Sequence, residues 1–162
     1  MATFAEHVAA IGRLEGAANP GAEAAANAMA DVFKPAVQSV LLARSHAFST
    51  QTPSQPETPP AAISGALAGS MLNDAAIEIA PETWRSRSGP TTRYGRIQEL
   101  GGWMPGHPMM HWQQPPGIWH HSTGHALPPR PYLQPALSKL AGDGTLTEAA
   151  AEGFGAALRA AV

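Results

Sequence analysis

The segment Leu127-Pro128-Pro129-Arg130-Pro131-Tyr132-Leu133-Gln134-Pro135-Ala136 marks the place where the second half of the chain changes from extended structure to helix. The prolines before Tyr132 hold the backbone extended and cannot donate hydrogen bonds inside a sheet. Pro131 also suits the first turn of a helix, and leucine and alanine then recur at helical spacing. We therefore predict a C-terminal helical segment over residues 131–162, with a break at Asp143-Gly144-Thr145.

Arg130 stands at the start of this helical segment, and its role has two interpretations. Its rigid guanidinium suits main-chain carbonyls or a carboxylate such as Glu99. Alternatively, Arg130 has no special role and simply precedes a helix.

The first 46 residues predict two helices. Phe4, Val8, Ile11 and Leu14 recur at helical spacing and predict a short helix over 3–16. Asn19 and Pro20 then suit the N-cap and first position of a second helix, which should run from about residue 20 to about residue 45. Pro35 falls inside it and predicts a kink or a break.

Between the N-terminal helices and the C-terminal helical segment, residues 47–63 predict a proline-rich loop, and residues 64–130 predict a small sheet with long loops. The individual assignments are a helical turn leading into a strand at 64–71, a strand at 75–80, a turn at 83–90, a strand or short helix at 92–100 ending at Gly101-Gly102, a strand at 107–113, and irregular structure at 118–130. The whole chain, 1–162, is thus predicted to be one α+β domain with helices at both ends and a mostly antiparallel sheet between them.

The composition points to a thin core and a narrow range of functions. Of the 162 residues, 44% are hydrophobic, many of them alanine, and only 6% are aromatic. We therefore expect neighbouring molecules to cover part of the apolar surface. With 14% charged residues, a net charge of −2 and no cysteine, the chain resembles neither a nucleic-acid binder nor a thiol enzyme, and no membrane association is expected.

Residues 103–121 are rich in tryptophan and methionine, which are enriched at protein interfaces. We predict that this segment packs on a neighbouring subunit or another protein partner; the alternative is that it covers the chain's own sheet. The expected interface residues, including two from the helix start, are Trp103, Met109, Met110, Trp112, Trp119, Arg130 and Tyr132.

Five of the seven histidines lie between residues 107 and 125. The spacings of His107 with His111 and of His121 with His125 place each pair on one face if the segment is helical, as zinc ligands require. The prolines and Gly117 make helices there improbable, so we expect no metal and no cofactor. We also find no nucleophile motif, phosphate-binding glycine loop or catalytic carboxylate pair, so no enzymatic activity is expected.

Three segments resemble the tail-completion (neck) proteins of long-tailed bacteriophages. Tyr94-Gly95-Arg96-Ile97-Gln98-Glu99-Leu100-Gly101-Gly102 is similar to that family's Y-A-x-x-Q/H-E-x-G-G segment, with Gly95 in place of alanine. The segment 127–136 is similar to its P-x-R-P-F/Y-L-x-P-A segment, and Ser64–Ser70 to its T/S-G-x-L-x-x-S turn. The resemblance covers roughly residues 60–140.

This resemblance implies a non-enzymatic virion protein that is assembled in the host cytoplasm. Its subunits would form a ring, often of six, between the head connector or stopper and the tail terminator or tail tube. Genomic DNA would pass through the lumen without sequence-specific binding. Two alternatives stay open: another minor tail or head-closure morphogenesis protein, and a metalloprotein built on the histidine cluster, such as a small hydrolase.

Overall fold

The computed structural model describes residues 4–47, 54–105, 111–114, 118–121 and 124–161. Its elements are α1 (Phe4–Leu42), α2 (Ala66–Gly69), β1 (Met71–Ala80), β2 (Thr83–Pro90), α3 (Gly95–Leu100), β3 (Gly102–Met104), β4 (His111–Gln114), β5 (Ile118–His121), β6 (His125–Leu127), α4 (Leu133–Gly142) and α5 (Thr145–Ala161). The predicted α+β class, with helices at both ends and antiparallel strands between them, is confirmed. None of the helices in these described ranges is long and apolar enough to cross a membrane.

The N-terminal region is one helix of 39 residues, so the prediction of two helices broken near Pro20 is wrong. Both Pro20 and Pro35 lie inside α1. A proline in a helix interior removes one main-chain hydrogen bond and crowds the preceding turn. That penalty is offset by packing, because α1 is the element on which β1, β2, α4 and α5 all lie.

The contact between α1 and α5 is close because glycine stands on both helices. A Cβ at Gly21 would lie 2.8 Å from the ring of Phe154, and a Cβ at Gly153 would lie 2.8 Å from the carbonyl oxygen of Ala24. The two contacts leave no room for a larger residue at either glycine. This tight contact explains how an alanine-rich stretch without large apolar anchors holds a long helix in place.

The strands β1 and β2 form an antiparallel hairpin that lies across α1, so the predicted turn at 83–90 is wrong. Every second residue of β2 from Trp84 is partly buried, whereas Arg85 and Arg87 are exposed. The indole Nε1 of Trp84 donates to Oδ1 of Asn19 on α1 at 2.6 Å. The serine-rich sequence is typical of a turn, but Ser86 and Ser88 lie on the partly buried face of a strand. The strand predicted at 75–80 is confirmed but begins earlier, at Met71.

The main core cluster is small and lies where α1, α2, β1 and α4 meet. Its members are Val37, Leu41, Ala68, Met71, Tyr132 and Ala136. Seven of the twelve buried apolar side chains among the described residues are alanines. Alanine buries little area, so each contributes little to the free energy of folding. The expected thin core is therefore confirmed.

Two further strand pairs occupy the tryptophan- and histidine-rich stretch. β3 pairs with β6, and β4 pairs with β5, both antiparallel, so one pair is nested inside the other along the chain. The prediction of irregular structure at 118–130 is therefore wrong for 118–121 and 125–127. The strand predicted at 107–113 is found from His111 onward, and residues 107–110 lie outside the described part of the chain.

The C-terminal helices match the prediction. α4 ends at Gly142 and α5 begins at Thr145, with Gly144 at a φ of 83° between them. The Asp143 carboxylate accepts hydrogen bonds from the hydroxyl of Thr145 at 2.7 Å and from its main-chain N–H at 3.1 Å. These bonds hold the pKa of Asp143 below its usual value and mark the start of α5.

Replacing Gly153 with alanine should weaken the α1–α5 contact, because the new Cβ would meet main-chain atoms of Ala24. Gly155→Ala is the matched control, since its Cβ would meet only the end of the flexible Arg159 side chain. Both changes gain up to about 1 kcal/mol of helix propensity. We expect Gly153→Ala to lose about 1–3 kcal/mol of unfolding free energy in urea titrations and the control to lose none. Equal stability of the two variants would contradict the close approach.

Candidate assembly interface

The carboxylate of Glu99 joins α3 to the start of α4. One of its oxygens accepts hydrogen bonds from the main-chain N–H groups of Tyr132 at 2.7 Å and Leu133 at 2.9 Å, and the other accepts from Gln134 at 3.1 Å. The first N–H groups of a helix have no partner within the helix, and a negative charge there is favoured by the helix dipole. Glu99 therefore caps α4 from 33 residues away in the chain.

Tyr132 fills the space beneath this cap and is completely buried in its own chain. Its hydroxyl donates to the carbonyl oxygen of Gly95 at 3.1 Å. Burial, assisted by the negative charge of Glu99, raises the pKa of Tyr132 to about 12. The prediction that Tyr132 contacts a neighbouring subunit is therefore wrong, because its side chain already packs inside the chain. The aromatic residue serves the subunit's own core.

Gly95 lies at a position where a side chain would not fit. A Cβ at Gly95 would collide with the ring of Pro90 and lie 3.2 Å from the hydroxyl oxygen of Tyr132. Glycine is thus the residue that fits between the end of β2 and the buried tyrosine.

The stretch before Tyr132 is also tied to α3 and to the proline-rich loop. The N–H of Arg130 donates to the Gln98 carbonyl at 2.7 Å, and the Pro129 carbonyl accepts from the N–H of Glu57 at 2.9 Å. The Nε of the half-buried Arg130 donates to the Ser54 carbonyl at 3.1 Å. Of the two partners anticipated for its side chain, Arg130 therefore bonds the carbonyl and leaves the carboxylate of Glu99 to the helix.

Gly101 and Gly102 follow α3 and have φ values of 67° and 144°, in the region that favours glycine. A Cβ at Gly101 would lie 2.8 Å from both the Leu127 carbonyl oxygen and the Pro129 nitrogen. Glycine therefore lets the two segments that carry the family resemblance, 94–102 and 127–136, run against each other. Their sequence features describe one packed junction.

Trp103 lies on the outside of this junction. Its side chain is 65% exposed, and the neighbouring Leu100 is 63% exposed. Together with Arg93, Arg96 and Ile97 they line a shallow groove, which we call the arginine groove. Of the two interpretations offered for Trp103, contact with another molecule fits this exposure better than covering the chain's own sheet.

The remaining expected interface residues are only partly described. Met109 and Met110 lie outside the described residues. Trp112 and Trp119 are placed by their backbone in the β4–β5 hairpin, where Trp112 lies opposite His120 and Trp119 opposite Gln113. The hairpin's described backbone pairs mainly within itself. A hairpin of this size is marginally stable alone, so it needs a surface on which to pack.

The histidines of this stretch stand on strands where the structure describes them. His111 lies opposite His121 in the β4–β5 register, so the helical spacing that would place zinc ligands on one face is not formed at His111 or His121. Among the described residues, no group of three histidine, cysteine or acidic side chains could hold a metal ion. His107 lies outside that part of the chain.

The β1–β2 hairpin carries a second exposed apolar surface, which the sequence did not predict. The side of the β1–β2 hairpin away from α1 carries Leu72, Ile77 and Ile79, which are 53%, 53% and 49% exposed. The alternation of 75–80 identified the strand, but it gave no sign that isoleucine would face outward. A bulge between Asp74 and Ile77 shifts the pairing with β2 and so changes which residues point outward.

Glu99→Ala should destabilise the junction, because three N–H groups at the start of α4 lose their acceptor. We expect a loss of about 1–3 kcal/mol in the free energy of unfolding. Glu99→Gln keeps one oxygen and should lose less, and the exposed Glu152→Gln is the control. A Glu99→Ala variant as stable as that control would show that the cap contributes nothing.

Tyr132 should make the fold sensitive to alkali. Its pKa in the folded chain, about 12, lies above the ordinary value of 10.0, so its contribution to stability is complete below pH 10 and is lost as the pH rises towards 12. The chain has two tyrosines, so Tyr94→Phe leaves phenolate absorbance that reports Tyr132 alone. We expect that absorbance to appear near pH 12 or together with unfolding. A titration at the ordinary value with the fold intact would contradict the burial.

No family model, no curated protein and no solved structure matches the chain.

Proposed function

We propose that the chain is a non-enzymatic structural subunit of the head–tail junction of a long-tailed bacteriophage. Copies of it, six in the expected case, form a ring between the head connector or stopper and the tail terminator or tail tube. Genomic DNA passes through the lumen, and the subunit is assembled into the virion in the host cytoplasm.

The observation that carries this proposal is the junction between the two resembling segments. Residues 94–102 and 127–136 resemble the tail-completion pattern independently, and they lie against each other through Glu99, Gly101 and Tyr132. Glu99 accepts hydrogen bonds from three N–H groups. Gly101 leaves room for the main chain of the other segment, and Tyr132 supplies the buried aromatic ring. The residues that carry the resemblance are thus the ones that hold this junction together, which supports the proposal.

The surface supports assembly with other molecules. Twelve large apolar side chains of the described residues are at least 40% exposed. Scattered exposed apolar residues are ordinary, but clusters on a chain with few charges are typical of interfaces. Leu100 and Trp103 form one cluster, and Leu72, Ile77 and Ile79 lie on another face. Two separate faces are what a head-to-tail contact around an axis needs.

The charge of the chain is compatible with a channel through which DNA slides. The chain has ten basic and twelve acidic residues, and a net charge of −2. Each phosphate contact adds salt-dependent affinity, so a strongly basic lumen would retain the nucleic acid. A minor tail protein or a head-closure protein would share these properties and would differ in its position within the particle.

Trp103→Ser should prevent assembly while leaving the subunit folded, because the side chain is 65% exposed. Ile63→Ser, at another site that is 54% exposed, is the matched control. We expect the free energies of unfolding of both variants to lie within about 0.5 kcal/mol of the value for the parent chain. Only the Trp103 variant should fall to the mass of one subunit in light scattering. A parent chain that is strictly monomeric, alone and with tail proteins of the same phage, would overturn the ring.

Cryo-electron microscopy of purified phage particles tests the position. The expected result is density for the chain in a ring between head and tail, with Trp103 at a contact between molecules. Particles without the chain at that junction would overturn the proposal, and density for it elsewhere in the tail or head would favour the alternative morphogenesis roles. Trp103, Trp112 and Trp119 all buried within one subunit would remove the assigned interface.

A further inference from the structure

Charge is unevenly distributed around the hairpin of β1 and β2. Residues 91–98, which follow β2, contain Arg93 and Arg96 and no aspartate or glutamate. Glu99, the next acidic residue, is engaged at the start of α4. Within the described part of the chain, no hydrogen bond or ion pair engages the guanidinium groups of Arg93 and Arg96. One end of the hairpin therefore leads into a surface that carries two exposed arginines.

The arginine groove combines this charge with apolar surface. Arg96 on α3 and Arg93, in the turn just before α3, are exposed and line the groove with exposed Leu100 and Trp103. Such a surface favours an occupant that carries carboxylates beside aliphatic side chains.

The opposite end of the hairpin presents that chemistry. Its tip, residues 77–82, reads Ile-Glu-Ile-Ala-Pro-Glu. Ile77 and Ile79 are about half exposed, and Glu78 and Glu82 are exposed. The N–H of Glu82 donates to the carboxylate of Glu78 at 3.1 Å, and Glu82 has a φ of 59°. The tip thus has a defined shape, so little conformational entropy is lost when it binds.

The two surfaces cannot meet within one chain. The eight residues of β2 lie between the tip and the start of the basic surface, and an extended strand of that length spans roughly 25 Å. Each copy therefore presents a tip and a groove that both need a partner. A contact between two different surfaces of identical chains is head-to-tail, and it closes into a ring when the rotation allows it.

We infer that the acidic, isoleucine-bearing tip of the β1–β2 hairpin (residues 77–82) of one subunit docks in the arginine groove of the next. The carboxylate of Glu82 faces the guanidinium groups of Arg93 and Arg96, and Ile77 and Ile79 cover Leu100 and Trp103. The inference deepens the proposed ring and rests on it for the head-to-tail arrangement. It names the occupant of each surface as a second copy of this chain.

Cross-linking is a clean test because the chain has no cysteine. Glu82→Cys subunits are mixed with Arg96→Cys subunits and treated with a short bis-maleimide. The expected product is a covalent dimer of unlike subunits, and either variant alone should give none. The matched control mixes Arg96→Cys with Glu152→Cys, which lies on the exposed side of α5. Equal cross-linking in the control mixture would overturn the inference.

Charge exchange tests the same contact without a reagent. Glu82→Lys and Arg96→Glu, each alone, should weaken association about tenfold, measured by sedimentation at low salt. The chain carrying both changes should recover most of the association, since each interface again pairs opposite charges. Because exposed charges are screened within about 10 Å at 0.1 M salt, the differences should shrink as salt is added. A double variant weaker than either single one would overturn the inference.

The outcomes separate this inference from the proposed function. An oligomer of unchanged mass that shows no Glu82–Arg96 cross-link overturns the docking but leaves a ring built on another contact. A cross-link in a protein that is absent from the head–tail junction of the particle leaves the docking and overturns the proposed function. A purified chain that stays monomeric at every concentration tested, with no cross-link, overturns the docking.

Discussion

The fold of the chain depends on the carboxylate of one residue, Glu99. Glu99 accepts three main-chain hydrogen bonds at the start of α4 and so fixes that helix against α3. Tyr132 is buried beneath it, and Tyr132 is one of the few large side chains in a core otherwise built from alanine. In such a core, hydrogen bonds between elements that are distant in sequence supply what apolar area does not. The junction between α3 and the start of α4 therefore stabilises the fold more than the small apolar core suggests.

The parts of the fold that follow from local chemistry were predictable from the sequence. The break between α4 and α5 follows from Asp143 and Gly144, and the positive φ at Gly101 follows from the paired glycines. The helical turn before β1 was also anticipated at the right residues. Each of these features is determined by side-chain–main-chain bonds or backbone sterics within a few residues, which a sequence displays directly.

The parts that depend on tertiary contacts were not predictable. Pro20 signals a helix start, but α1 continues through it because the helix is held by its neighbours. The serine-rich strand β2 resembles a turn until Trp84 is seen bonded to Asn19 on α1. The sequence predicts an interface role for Tyr132, whereas its burial involves a hydrogen bond to a residue 37 positions away. At the candidate site, the exposure of Trp103 agrees with the assignment, and the arginine groove around it became visible only in three dimensions.

The length of α1 has a consequence for how such a subunit can diverge. A helix of 39 residues is roughly 58 Å long, whereas α5, with 17 residues, covers only about 25 Å. Residues 5–16 are almost all exposed, so insertions or deletions of whole turns there leave the packed residues untouched. Each added turn would lengthen α1 by about 5.4 Å. The length of this segment can therefore change while the rest of the domain stays constant.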